Sequence, residues 1–576
     1  MNTENDFQPS HSHTEINNGG TIDNTKVQDL TDLPNDLFLL ISSYLTPQAS
    51  VLCRRVSRAW FAAFTSADVS WNFMRWHFPR SREMRRAVEE LGENPDWTRI
   101  FANVARRYYH LRAAKPRLVE KIDVVQESLA PRGPIKGVAP WNRWLRWTDH
   151  VSAFQHRDPT WCMDDGLLVY QETISGHYVA YDLETRHRYS VPFDGADKTV
   201  RRLRLTCGVL IIEWCERKSY HQLNDQETVH RHFATAFDVV RRISTSTSDY
   251  ESEIRFTWDI TFRSEWKIHF LGLPLNNHDR FFSAHTATHY ALYVWQPNRS
   301  PWGEEDPLEQ LTIWDIEKPS EYRPSLDPTG ANRPTLSTST SFSSSSSQSS
   351  SGSGDQQGPE VINRFTWRDL EFLDLRQRHT PRLREILLDE ANVYIHEEDH
   401  RWLAGQHSGL TPPRHHQVRC TGIPFHGTGP RWSDECCADG DVHMSFCPRA
   451  GSLARVLDDD NRESRAPGNR NLWPGWAPCW RHEEFPYLTV ADAVDADAGV
   501  RFIARQCFVM EALSSFVLPK ISVREEEQGG EEDDEVAEAR FADEMWWDLL
   551  AKGKIVGDER WVVGEDGAGK VTVVRF

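Results

Sequence analysis

The sequence predicts an α+β multidomain protein: a small three-helix module, then a helical linker, then a large mainly-β domain, along 576 residues. Three observations carry this prediction. Apolar residues recur at i, i+3, i+4 and i+7 between Leu33 and Phe64, and again after Asp96, which is the period of an amphipathic helix. From about Trp161 the period falls to two, the alternation of strands with one face in a core. Two low-complexity stretches, residues 334–358 and 524–540, then interrupt the β pattern without changing its period.

Composition limits what such a chain does. With 39% hydrophobic and 11% aromatic residues, cores of ordinary volume are within reach. Residues 1–28 are polar and lack a basic-then-apolar signal pattern, and no run approaches the ~18 consecutive apolar residues of a membrane span. The expectation is a disordered tail over 1–28 on a protein of the cytoplasm or nucleus, with no membrane partner. Ten cysteines lie scattered without framework spacing, the pattern of reduced thiols. The net charge of -19 is uneven: Arg54 to Lys121 holds 15 basic against 7 acidic residues, +8, which leaves -27 elsewhere. Aromatics and leucines interleave with those arginines at helical spacing, so the stripe reads as a solvated or partner-facing helix surface and not as a nucleic-acid site.

The module is the stretch "LPNDLFLLISSYLTPQASVLCRRVSRAW", residues 33–60. Leu37, Leu40, Ile41, Tyr44 and Leu45 form one helical stripe, with Pro34 and Asp36 suited to a first turn. Phe38 and Leu39 add apolar surface on another side, more than one core face of so short a helix absorbs. Thr46-Pro47 predicts an N-cap and first turn for a second helix through Val51, Leu52 and Cys53. A third helix begins near Val56-Ser57 and carries Trp60, Phe61 and Phe64. Three helices this short bury too little apolar area to stand alone, and the surplus implies a partner surface.

Leu33-Pro34, Asp36-Leu37, Ile41, Tyr44-Leu45, Pro47, Val56-Ser57 and Trp60 resemble the F-box in residue type and register. That resemblance implies a module over residues 29–66 that docks on the Skp adaptor and, through it, on the cullin and RING subunits of a ubiquitin ligase. It places Leu33, Pro34, Leu37, Ile41, Leu45, Leu52, Val56 and Trp60 in or beneath the adaptor-binding surface. Ala49 and Ser50 depart from the pattern, standing where an acidic residue and a leucine are usual, which implies a weaker grip by the second helix. The linker is expected over 67–121; in it Asp96 caps a helix whose Trp97, Phe101, Val104, Tyr108 and Leu111 share a face.

The β domain is expected over 150–576. "GLLVYQETISGHYVAYDLETRHRYSV" gives two strands about a Gly-His turn; the cadence returns from "GVLIIEW" to "HFATAFDVVRRI" and from "HYALYVW" to "LTIWDIEKP". Tyr181-Asp182-Leu183, Phe237-Asp238-Val239 and Trp314-Asp315-Ile316 share an aromatic-Asp-aliphatic pattern. Copies at roughly 60 to 80 residues suggest propeller blades with long loops, and the third resembles the ending of a WD repeat. Without the full repeat signature this is a degenerate β-propeller, with a β-sandwich or two sheets as the alternative. The serine tract at 334–358 and the acidic run at 524–540 are expected to be disordered inserts. The last apolar runs, around Gly564 to Lys570, predict a hairpin whose strand closes the sheet system.

Three motifs compete as chemistry. Gly564-Glu-Asp-Gly-Ala-Gly569-Lys570 has phosphate-loop spacing, but Val571 replaces the Ser or Thr and too few residues follow for a helix. His396-Glu397-Glu398-Asp399-His400 has the zinc-protease pattern, which needs a helix so that both histidines meet one metal. Val393, Tyr394 and Ile395 favour a strand there instead. Cys420, His426, Cys436, Cys437, His443 and Cys447 cluster without paired knuckles, so free thiols are the expectation. No cofactor loop, metal set or catalytic residue is assigned. The resemblance and the layout together imply a noncatalytic substrate receptor of a Skp-cullin-F-box ligase that presents a protein substrate from its β domain. The alternatives are a Skp partner outside a ligase and the zinc protease.

Overall fold

The computed structural model describes residues 29–86, 95–125, 160–222, 228–245, 254–268, 280–296, 306–329, 331, 358–378, 382–402, 414–426, 432–437, 455–457, 463–465, 487–495, 497–509, 514–524, 536–540, 545, 548–549, 555–566 and 568–576. The expected tail and the serine tract lie outside them, apart from Gly358. Two compact units emerge, residues 1–77 with 96–105, and residues 78–95 with 106–576.

In the first unit Asp29 caps a short 3-10 turn, Leu30–Asp32, and its carboxylate accepts from the Leu30 amide at 2.8 Å. Helices α1 (Asn35–Ser42), α2 (Pro47–Cys53), α3 (Arg58–Phe64) and α4 (Ala67–His77) follow. The predicted caps are in place: Thr46 accepts from the Ala49 amide at 3.2 Å and Ser57 from the Trp60 amide at 3.2 Å. Each satisfies a donor that the helix itself leaves free. The core is aromatic. Phe38 meets Phe64 edge-on at 5.1 Å, Phe64 stacks on Phe73 at 6.0 Å, and Phe73 meets Phe101 at 5.1 Å. Phe101 and Val104 are fully buried.

In the second unit α5 (Arg82–Arg85) precedes the later turns of α6 (Trp97–Arg112), where Tyr108 and Leu111 are buried. Asp96 caps α6 as expected, accepting from the Arg99 amide at 3.0 Å. The helical stretch expected to reach Lys121 ends at Arg112. Ala114 takes a left-handed φ of 48°, Pro116 bars continuation, and Leu118–Ile122 is a strand.

Among the described residues, the β region consists largely of six four-stranded antiparallel sheets. The first comprises Trp161–Asp164, Leu167–Gln171, Tyr178–Asp182 and Arg188–Ser190. The second comprises Lys198–Thr206, Val209–Glu216, His232–Thr245 and Ile254–Ile268. Arg280–His285, His289–Gln296, Leu308–Asp315 and Glu360–Phe365 form the third. Leu383–Leu388, Asn392–Trp402, Arg414–Pro424 and Trp432–Cys437 form the fourth. The fifth holds Tyr487–Asp495, Val500–Val509, Ser514–Arg524 and Val536–Arg540. The sixth joins Ile555–Gly557, Trp561–Glu565 and Val571–Arg575 to Leu118–Ile122 from the other end of the β region. Leu118 to Ile122 pair with Arg575 to Val571 in continuous register, so the C-terminal hairpin does close on the first strand of the chain.

Four neighbouring pairs of sheets share cores. Leu167 and Val169 of the first sheet pack with Leu210 and Ile212 of the second, and Ile211 and Ala234 of the second with Tyr290 and Leu292 of the third. Tyr293 and Ile313 of the third pack with Ile386 and Ile395 of the fourth, and Val563 and Val573 of the sixth with Trp161 and Leu168 of the first. The three aromatic-Asp-aliphatic copies all lie on the third strand of their sheets or run off its end. Asp182 shows why the residue suits a strand end: one carboxylate oxygen accepts from the Glu184 and Thr185 amides, at 2.7 and 3.1 Å, and tightens the turn. Asp315 repeats the contact on the Glu317 amide at 2.9 Å.

The acidic insert is shorter than expected. Val536–Arg540 is an edge strand paired with Lys520 to Arg524.

A buried ionic network holds α5 and the end of α6 to the sheets of this unit. Arg107 grips the Glu83 carboxylate with two bonds, 2.9 and 2.7 Å, and lies 3.3 Å from Glu559. Glu559 also accepts from the Arg82 amide at 2.6 Å and the Tyr108 hydroxyl at 2.6 Å. Asp165 receives Arg82, Arg86 and Arg560 at 2.8, 2.7 and 3.1 Å.

Candidate functional site

The first unit sorts its apolar residues into two sets. Phe38 (4% exposed), Phe64, Val69, Phe73 and Met74 turn inward. Leu37, Leu40, Ile41, Tyr44, Leu52, Val56 and Phe61 remain exposed, Tyr44 at 84% and Val56 at 62%. The helix geometry dictates this division. In α1, residues 37, 40 and 41 line one face, with Tyr44 in the turn that follows, whereas Phe38 lies about 100° round from Leu37 and points at Phe64. In α3, Trp60 and Phe64 are one turn apart and stack at 5.6 Å, leaving Phe61 on the other side. An exposed apolar set of this size within one small unit marks an interaction surface.

Of the eight residues the sequence singles out, Pro34, Leu37, Ile41, Leu52 and Val56 are exposed, and Leu33, Leu45 and Trp60 are half-buried. Trp60 supports from beneath: its ring lies on Phe64 and its indole N–H donates to Asp29 at 3.1 Å. Sequence reasoning placed Leu40 and Tyr44 in the stripe without assigning them to the surface, and it counted Phe61 with the third helix's apolar run. The i to i+4 spacing of Trp60 and Phe64 is the signal that separates Phe61 from them. Ser50, the departure in the second helix, is fully buried and its hydroxyl donates to the Thr46 carbonyl at 3.1 Å. The smaller side chain therefore costs core volume and not docking surface. Arg54 runs under the module, its guanidinium 5.7 Å from the Phe101 ring, and burial lowers its pKa against the pull of Asp96.

Comparison with known families decides the identity of this unit. The F-box domain model matches residues 30–71. Residues 30–71 are an F-box domain. The match covers less than a tenth of the chain and leaves the family of the β region open. No curated protein matches the sequence. An F-box domain implies binding to the Skp adaptor.

The competing motifs take other shapes. His396 and His400 both lie on the strand Asn392–Trp402, paired along its length with Arg414–Pro424. Four positions of extended chain separate them by about 13 Å, too far for one zinc ion. Glu397, which would activate water in the protease reading, is instead buried against Arg419 at 2.7 Å and Gln377 at 2.8 Å. The phosphate-loop spacing falls on the hairpin between Trp561–Glu565 and Val571–Arg575. There Asp566 closes the turn by accepting from the Ala568 and Lys570 amides, both at 2.9 Å. Cys420 is buried in its strand, Cys436 and Cys437 lie on a neighbouring one, and His443 and Cys447 fall outside the described residues.

The missing helix N-terminus and the strand under both histidines leave an apolar docking face as the feature with the clearest chemical use. No helix among the described residues is long and apolar enough to cross a membrane.

Proposed function

We propose that this chain is the substrate-recognition subunit of a Skp-cullin-F-box ubiquitin ligase, and that it acts by binding and not by catalysis. The observation that carries the reading is the exposed apolar face of the F-box domain, where Leu37, Ile41, Leu52 and Val56 stand clear of the unit's own core. Leu33, Pro34 and Leu45 extend that face, and Trp60 stiffens it from below. Burying such a face against the Skp adaptor removes apolar area from water, the main driving force of association.

The β region presents the substrate. Six four-stranded sheets in chain order, cores shared by four of the neighbouring pairs, and a terminal sheet built from both ends of the β region support a closed β-propeller. A propeller holds loops from several blades around one surface, which suits recognition of a protein segment.

Reconstitution tests the reading. Purified chain mixed with the Skp adaptor should form a stoichiometric complex that then recruits cullin and RING subunits. A complex with the adaptor that excludes cullin would favour the alternative, an F-box protein acting outside a ligase. No complex with the adaptor would contradict both.

A further inference from the structure

At one end of the second sheet, cations and aromatic rings form a continuous row. Lys198 Nζ lies 5.0 Å from the centroid of the Trp214 ring, and Trp214 meets Phe233 at 4.8 Å. The Arg231 guanidinium lies 5.4 Å from the Phe233 ring and 5.2 Å from the Tyr220 ring, and Lys267 Nζ closes the row 5.9 Å from the Tyr220 centroid. The register explains the grouping. Val200, Trp214, Phe233 and Lys267 are lateral partners across the four strands and therefore share one face, and Lys198 lies two residues from Val200. Tyr220 is brought to the row by a short ladder of His221–Gln222 with Thr228–Val229, and its amide donates to the Val229 carbonyl at 2.8 Å.

The charges of the row are unevenly answered. Arg231 is taken up by Glu216, which it holds with two bonds, one of them 2.8 Å. Lys198 and Lys267 pair with no carboxylate among the described residues; the Lys198 ammonium donates to the Asp194 carbonyl at 2.7 Å. Lys267 is half-buried, where burial and the like charge of Arg231 lower its pKa against the pull of Glu216. An ammonium so placed gains from an arriving anion. Beside it the Tyr220 ring is 55% exposed, and its hydroxyl has no partner among the described residues. An inorganic anion uses the ammonium and the hydroxyl but leaves the ring wet. A peptide carrying an anion next to an apolar side chain uses all three, and aromatic anchors of this kind carry much of the energy of interfaces. A dianionic phosphate favours a free guanidinium fork, and the one guanidinium in the row is occupied by Glu216. The single ammonium matches a carboxylate.

We propose that Tyr220 and Lys267, with Lys198 at the far end of the row, form a binding site for an extended peptide segment that alternates carboxylates with apolar side chains. One carboxylate meets the Lys267 ammonium and the Tyr220 hydroxyl, and its apolar neighbour covers the Tyr220 ring. Arg231, held by Glu216, fixes the ring from its own side of the row. The inference rests on the receptor reading above, because it names the class of segment, an acidic stretch of the protein substrate, that the β region receives.

Fluorescence anisotropy of labelled ten-residue peptides titrated with the full chain tests this. A peptide of alternating glutamate and leucine should bind at low salt and lose affinity as salt screens the pair. Lys267→Met and Tyr220→Ala should each weaken it at least ~10-fold, the loss of about one charged hydrogen bond or one anchor, whereas Lys267→Arg should retain it. Thermal unfolding of each variant should match the wild type. A peptide of alternating lysine and leucine should not bind. Failure of the glutamate-leucine peptide to bind, or binding indifferent to Lys267→Met in a folded chain, overturns the proposal. Tighter binding of a peptide with phosphoserine in place of glutamate, or displacement by millimolar inorganic phosphate, overturns the choice of a carboxylate segment. Titration of the Skp adaptor against the same preparations separates the two readings. An adaptor complex without peptide binding overturns the site alone, and peptide binding without an adaptor complex contradicts the receptor reading and leaves the site standing.

Discussion

Arg107→Ala removes a cation shared by Glu83 and Glu559. Arg107 is 8% exposed, holds Glu83 by two bonds and stands 3.3 Å from Glu559, which is 1% exposed. Losing one partner of a buried pair costs about 3 to 5 kcal/mol, because the remaining charge stays desolvated. Here two carboxylates are left. The pH dependence is the distinguishing mark. Burial pushes the Glu83 carboxyl up, but Arg107 outweighs it and holds the pKa down to about 2. A depressed folded-state value means that Glu83 adds stability above its ordinary pKa of 4.5, and that this is lost as pH falls toward 2. The cost of Arg107→Ala should therefore be largest near neutral pH and shrink as pH falls: burial already holds the Glu559 carboxyl above its ordinary value, so once orphaned it takes up its proton above pH 4.5, and the stabilisation from Glu83 is then lost between 4.5 and 2. Urea unfolding followed by tryptophan fluorescence at several pH values measures it. A loss below ~1 kcal/mol at pH 7, or one that does not change with pH, would refute the account of this network.

Two further substitutions test the β region. Burial, with the nearby Asp165 charge, pushes the Asp164 carboxyl up to about 6; its favourable contribution is complete below the ordinary 3.8 and lost as pH rises through 6. Asp164→Asn should raise stability at pH 7, by at most about 3 kcal/mol, and make no difference below pH 4; thermal unfolding at the two pH values is the check. Gly564→Ala would drive a Cβ into the Leu549 carbonyl, so it should lower the urea midpoint by an amount equivalent to about 1 to 3 kcal/mol; an unchanged midpoint would remove the packing reason for glycine in this hairpin.

The helical part of the protein was legible because its signals are local. Thr46, Ser57 and Asp96 cap helices where the sequence places them, and Phe101, Val104, Tyr108 and Leu111 bury the predicted face. Which side of α1 faces solvent was not legible, since Leu37 and Phe38 are equally apolar and only the position of Phe64 separates them. In the β region two of the aromatic-Asp-aliphatic copies found the ends of third strands, because the Asp182 and Asp315 carboxylates accept backbone amides just beyond the strand, a local turn signal; Asp238 lies within its strand and pairs with Arg263 at 3.5 Å. Leu118–Ile122 escaped notice for the opposite reason. Its partner, Val571–Arg575, lies at the far end of the sequence, and no local pattern records so distant a pairing. The buried network is likewise invisible in sequence, where Arg107 and Glu559 are two charged residues among many.

The most direct test of the central claim is a titration of the Skp adaptor against the full chain carrying Leu33→Ala and Ile41→Ala. Truncating a leucine or isoleucine that anchors an interface costs about 2 to 4 kcal/mol, and each ~1.4 kcal/mol is tenfold in affinity. Both side chains lie outside the buried aromatic core of their unit, so thermal unfolding of the variant should match the wild type. The account predicts at least ~100-fold weaker adaptor binding by a folded chain. Wild-type affinity in that folded variant would contradict it.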